Sequence, residues 1–215
     1  MSEIFGWLPN LLSGLKTTLL LTVGATFVAC PMALAAGLAR LSRNPFFYGP
    51  AVCYIEVFRG TSALIQLFWF YYVLPHFGFQ MEALTAGILV LGLNIGAYGA
   101  EVVRGAVQSV PREQYEAAKA LNFSKMQTMK KIILPQAFVA ILPPAGNLLI
   151  ELLKSTALVS MITITELTFK GQMLRASTLK STEIFGIILI LYFLLALSIT
   201  HGIRKLERRF SYVKV

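Results

Sequence analysis

Glutamates, lysines, arginines and histidines are the side chains that could move protons or hold ions, and their spacing suits neutralisation better than catalysis. Glu101 and Arg104 stand three apart, as do Glu151 and Lys154, so on a helix each pair shares a face and can neutralise itself. His76 and His201 have no companions at metal-ligand spacing, so no metal is expected. No H-E-x-x-H occurs and no nucleophile is set beside a base, which argues against hydrolytic or acyl-transfer chemistry. No G-x-x-x-x-G-K-[ST] loop occurs either, so nucleotide phosphates would have to be held by another protein. The regular spacing lies elsewhere, in Glu116-Ala117-Ala118, then Asn122, then Ile132-x-Leu134-Pro135.

That stretch predicts a mechanical element. Pro111 can occupy a first helical turn, and Arg112 to Leu121 reads as a short polar helix carrying the small pair Ala117 and Ala118. Asn122 can adopt the left-handed conformation that closes a helix, so a sharp corner is expected there. Ser124 to Gln127 is a capping-box pattern that starts a second helix running toward Pro135. Small alanines would let another protein approach the backbone closely.

The elements that hold this corner must be read with a bilayer as solvent. Hydrophobic residues make up 56% of the 215 and charged residues 13%, far from the roughly one-quarter charged of soluble domains. One membrane domain over residues 1–215 is expected. The net charge of +9 does not point to nucleic acid, because the cations lie between apolar runs and not on one basic face. Cys30 and Cys53 lie inside apolar stretches and behave as small hydrophobes, without a disulfide. The start Met1-Ser2-Glu3 lacks the basic opening of a secretory signal, so no cleaved leader is expected. Residues 1–15, with Ile4, Phe5, Trp7, Leu8, Leu11 and Leu12 around Pro9 and Asn10, read as an amphipathic segment lying at the membrane interface.

Five spans follow, giving an all-α membrane protein. No charge lies between Lys16 and Arg40, a run long enough for the roughly 20 residues that cross the hydrocarbon core. The second span runs from near Tyr48 through charge-free Arg59 to Glu82, and the third from Ala83 to Ala100 with four glycines suited to close packing. The fourth, Ile132 to Ile150, should bend or break at Pro135, Pro143 and Pro144; the fifth is Ile184 to Ile203. The 19 basic residues divide 14 to 5, with Arg40, Arg43, Arg59, the 101–131 loop and the C-terminal Arg204 to Lys214 stretch on the rich side. By the positive-inside rule that side is cytoplasmic, so the C-terminus is inside, the N-terminus outside, and the 101–131 loop cytoplasmic.

The loop resembles the signature of ABC importer permeases, in which Glu-Ala-Ala is followed by three residues, Gly, nine residues and Ile-x-Leu-Pro. Asn122 replaces the Gly and keeps the left-handed corner at modest cost. Glu56 to Thr61, Ala97 to Gly105 and Leu153 to Leu158 are similar to the branch of that family that carries polar amino acids. The resemblance implies the type I importer permease fold (MetI-like) in a bacterial cytoplasmic (inner) membrane. It implies that Glu116, Ala117, Ala118 and Asn122, with Ile132, Leu134 and Pro135 behind them, couple the bundle to ABC ATPase subunits that bind ATP and Mg, so this chain needs no cofactor. Further implied partners are a second permease copy or a homologous permease, an extracytoplasmic solute-binding protein, membrane lipid and a small polar solute. That solute is a polar amino acid or, alternatively, a compatible solute such as ectoine or hydroxyectoine. A stand-alone secondary transporter is the rival class, opposed by the odd span number and the absence of an internal repeat.

Polar residues inside spans are candidates for the translocation pathway. Asn94 and Asn147 each need a partner in apolar surroundings, and either faces the pathway or bonds a neighbouring helix. Glu151 and Lys154 either pair locally or present charge to a zwitterionic solute or to the binding protein. Arg59 is expected to snorkel to the cytoplasmic interface. Ser155 to Glu183 is too interrupted by charge to span and is expected as an external, partly embedded loop.

Overall fold

A computed structural model describes residues 2–210, with side chains from residue 6 onward. The side chains of Ile4 and Phe5, and Lys214, lie outside the described residues. Every regular element among the described residues is helical. Four helices are long and apolar enough to cross a membrane: 6–39, 83–108, 125–162 and 181–210. A fifth span exists if the bent pair Pro45–Gly60 and Ala63–Phe77 is counted as one.

Helix α1, Ser2–Ala39, is continuous through Pro9 and Pro31. Residues 1–15 were expected to form a separate interfacial segment, but from Ser2 on they are the first turns of this helix. The reason is a tertiary anchor: Trp7 and Leu11 are buried against Leu167, Ile184 and Ile188, so apolar packing carries the helix past Pro9.

The second span departs furthest from expectation. Helix α2, Pro45–Gly60, starts at Asn44, whose side chain accepts from Phe46 N. It ends at Gly60, and the chain then turns by 106° into α3, Ala63–Phe68, which continues as a π turn, Trp69–Val73, and a 3-10 turn, Leu74–Phe77. Thr61 and Ser62 are both extended, with φ −122° and −68°, and two such residues re-aim the helix axis.

Helix α4, Ala83–Gln108, is the buried centre, and α1 lies along it. The two backbones approach closely because their seam is small. A Cβ placed on Gly92 would stand 2.6 Å from that of Val28, and one on Gly99 2.7 Å from that of Ala33. Around the seam Leu21, Ala25, Leu67, Leu91 and Ile95 pack with Leu152, Val159 and Ile162.

Helix α5 is Arg112–Ala120, and α6 is Lys125–Thr128. A π turn, Met129–Ile133, joins α6 to α7, Leu134–Ser155. The expected break at the prolines is absent, for the helical run 125–162 is one candidate span. Pro135 follows the π turn, whose wider register relieves the clash between a proline ring and the preceding carbonyls. Past a 3-10 turn, Thr156–Ile162, come α8, Leu167–Thr178, and the 30-residue α9, Ser181–Phe210. The segment expected as a non-spanning loop is thus mostly helical, and α8 packs on α1 and α9.

Candidate functional site

The corner after α5 forms as its local sequence dictates. Asn122 has φ 56°, the left-handed conformation. Its N–H bonds Lys119 O at 3.0 Å, and the next N–H, of Phe123, reaches back to Ala118 O at 3.0 Å. Together these bonds satisfy carbonyls that the last helical turn leaves open. Two residues on, the capping box is complete: Ser124 N donates to Gln127 Oε1 at 2.9 Å, and Gln127 N to Ser124 Oγ at 3.3 Å. One helix ends and another begins within four residues, with no glycine.

The corner is rooted from below. Ile133 is fully buried among Ala106, Val107, Val110 and Ala137, with Ile132 and Leu134 packed alongside, so the end of α4 and the start of α7 clamp it. The Tyr115 hydroxyl donates to Val107 O at 3.4 Å, and burial pushes its pKa up. Glu116, Ala117 and Pro135 are exposed, whereas Ala118 is fully buried. Of the two alanines expected to let another protein approach this backbone closely, only Ala117 is open; Ala118 packs inward against its own chain.

The four residues singled out for the pathway divide. Asn94 is buried: its Nδ2 donates to Phe58 O at 3.0 Å and to Gln66 Oε1 at 3.1 Å. Gln66 in turn donates to Phe58 O at 2.9 Å, Thr61 Oγ1 at 2.7 Å and Thr61 O at 3.2 Å. Phe58 O and Thr61 O lie at the end of α2, where a terminating helix leaves carbonyls without partners. Asn94 and Gln66 therefore staple the 106° break, and Asn94 makes the interhelical bond that was one of its two expected roles. Sequence reasoning missed Gln66; its signal was an amide set among apolar residues early in a charge-free run.

Asn147, Glu151 and Lys154 behave oppositely. At i, i+4 and i+7 they share one face of α7, and all three are exposed. Among the described residues no ion pair joins Glu151 to Lys154, so the expected local neutralisation is not formed. Glu101 does pair, with Arg104 at 2.8 Å and also with Arg40, which lies 3.7 Å from Glu56. Arg59 is exposed beside the break, its guanidinium 5.4 Å from the Tyr98 ring centre. His76 and His201 are exposed, and no group of three potential metal ligands occurs among the described residues.

Glu166 is the other residue sequence reasoning passed over. It is fully buried, and its carboxylate caps α8 by accepting from Thr168 N at 2.8 Å and Phe169 N at 2.7 Å, while the Tyr192 hydroxyl donates to it at 3.1 Å. Burial pushes its pKa up, and these hydrogen bonds, with one from the Thr168 side chain, oppose that rise only in part. Leu167 N donates to Thr18 Oγ1 at 3.2 Å, tying the same turn to α1. The signal was an acid directly before an amphipathic helix, the N-cap position.

The described residues form a helical bundle of membrane-spanning length with a closed corner at one end and an exposed polar face on the helix leading from it. The chain belongs to the family of binding-protein-dependent transport system inner membrane components, whose profile matches residues 29–212. It is 44% identical over 200 residues to a probable amino-acid ABC transporter permease of Sinorhizobium fredii, covering 90% of this chain and 84% of that protein. It is 35% identical over 210 residues to the glutamine transport system permease GlnP of Escherichia coli K12, covering 97% and 96%. A crystal structure of an amino acid ABC transporter with histidines matches at a TM-score of 0.90 and 36% identity, covering 96% of this chain and 97% of that one. An inward-facing MetNI methionine ABC transporter, at 23% identity and TM-score 0.83, shows the same fold. The chain is an ABC transporter permease subunit of the inner membrane, not an enzyme, and its ATPase is a separate protein. The secondary-transporter rival is thereby excluded.

Proposed function

We propose that this chain is the permease of an importer for a polar amino acid. The exposed tip of α5, with Glu116 and Ala117, docks on the ATPase, and the face of α7 carrying Asn147, Glu151 and Lys154 borders the solute path. One observation carries the reading: the corner at Asn122 is rigidly closed and leads through helical turns without a break into the helix that bears the polar face. A push on α5 therefore has a stiff route to that face, about 20 Å from Leu134 to Asn147 at 1.5 Å per residue. Ile132, in the π turn, and Leu134 and Pro135, which open α7 directly after it, carry that route from the corner into the helix.

The charge distribution supports a cytoplasmic C-terminus and corner, with the N-terminus outside. A solute-binding protein delivers from outside, and a second copy or a homologous permease closes the path that one chain leaves open along α7. An unpaired acid and an unpaired base three residues apart suit the ammonium and carboxylate of a zwitterion. The relatives' names, glutamine for GlnP and L-cystine for a Bacillus subtilis permease 35% identical over 207 residues, favour amino acids over ectoine-type solutes.

The test is uptake by the permease reconstituted with its ATPase and binding protein. Glu116→Lys and Ala117→Arg are expected to lower uptake at least about tenfold, or about 1.4 kcal/mol, with ATP hydrolysis persisting and the bundle folded. Wild-type uptake in both would remove the docking role. For the solute, an amino acid should raise the melting temperature of the cognate binding protein; a rise with ectoine alone would overturn the amino-acid assignment.

A further inference from the structure

The opposite side of α7 carries a feature that solute transport does not use. A groove of about 320 Å³ runs between α1 and α7 over α4, from Thr26 and Leu152 at one end to Leu34 and Phe138 at the other, with Gly99 in its floor. Its walls are apolar: the one hydroxyl, of Thr26, is turned back to Thr22 O at 2.7 Å. A zwitterion here would lose its hydration with nothing to replace it, so the groove lies off the solute path. On the helical wheel its α7 residues, such as Ala145 and Leu152, fall roughly opposite Asn147, Glu151 and Lys154.

Size and charge select the occupant. At 1.5 Å per residue the groove extends about 12 Å along α1 and about 21 Å along α7, bracketing the roughly 15 Å of one leaflet of a 30 Å hydrocarbon core. A single extended alkyl chain matches that length. At the Phe138 end the wall is completed by Leu206 of α9. Leu206 stands within Arg204-Lys205-Leu206-Glu207-Arg208-Arg209, with Lys130 and Lys131 exposed below α7. Arg209, three residues beyond Leu206, continues the same helical face past the mouth.

We infer that this groove binds one acyl chain of an anionic phospholipid, whose headgroup phosphate rests against the basic end of α9 beside Lys205 and Arg209. Cations near a membrane surface attract anionic lipid, so such a cluster favours anionic over zwitterionic lipid. The lipid would brace α1 against α7, the helix that leads from the coupling corner.

The test uses native mass spectrometry of the full-length chain in detergent, with phosphatidylglycerol or phosphatidylcholine of identical acyl chains. One phosphatidylglycerol per chain should be retained at least about fivefold more than phosphatidylcholine. Ala145→Phe, which fills the groove, should abolish that retention, and Lys205→Gln with Arg209→Gln should bring the two lipids level. Should Ala145→Phe disturb folding, the native cysteines give a second readout. Cys30 lines the groove and Cys53 does not, and both are exposed. Phosphatidylglycerol should slow maleimide labelling of Cys30 severalfold and leave Cys53 unchanged. Equal retention of the two lipids, full retention in a folded Ala145→Phe variant, or unchanged Cys30 labelling would overturn the inference. So would a Cys30-to-Cys30 disulfide dimer on oxidation, which would show a second copy seated on the groove.

Discussion

Asn94 and Asn147 are the same residue type at comparable depth in two neighbouring helices, α4 and α7, and the fold uses them in opposite ways. Asn94 is buried and donates to Phe58 O and Gln66 Oε1, holding a helix break together. Asn147 is exposed on a face shared with Glu151 and Lys154 that none of the described residues covers. An amide in an apolar run must find a partner, since an unmet polar group in hydrocarbon costs several kcal/mol. Where the chain supplies that partner the amide is structural. Where it does not, the partner comes from outside, whether solute, water or a second subunit.

The strongest way to break this contrast is Asn94→Leu. It leaves Gln66 Oε1 without its donor and weakens the hold on Phe58 O, for an expected loss of about 2 kcal/mol in chemical or thermal unfolding of the purified protein. Unchanged stability would mean that the 106° turn holds itself. Asn147→Leu should do the reverse, lowering uptake by about tenfold, equivalent to about 1.4 kcal/mol, while the unfolding midpoint stays put. A stability loss in Asn147→Leu matching that of Asn94→Leu would erase the distinction between the two amides.

The sequence showed both amides but not their difference, because the partners of Asn94 are 28 and 36 residues away. Helical periodicity reports which residues share a face; it does not report which face a neighbour covers. The same limit hid the break itself: Gly60-Thr61-Ser62 contains no proline, and the charge-free run read as one span. Pro143 and Pro144 do not break their helix, which continues past them. The N-cap of Glu166 was local, but its burial was hidden, because it is set by packing that includes Tyr192, 26 residues on. Spans three and five, the α5 corner and the capping box were all legible, because each is set by residues within a few positions of one another.

A third amide, Asn122, shows what such local legibility is worth. Its side chain is exposed and its role is conformational: it holds φ 56° so that Phe123 N and Asn122 N can close α5. A left-handed residue with a side chain costs up to 1–2 kcal/mol, less for Asn, and glycine removes that cost while adding flexibility to the unfolded chain. The two nearly cancel, so Asn122→Gly should change stability by only a few tenths of a kcal/mol and leave uptake near wild type. Asn122→Val, with a branched side chain that resists this conformation, should cost about 1 kcal/mol locally and loosen the corner. Faster hydrogen exchange at the Phe123 amide would report that loosening before any global unfolding. If Asn122→Val instead exchanged and transported like the parent, the corner would owe its shape to the clamp around Ile133, and the residue whose meaning was plainest in the sequence would be dispensable.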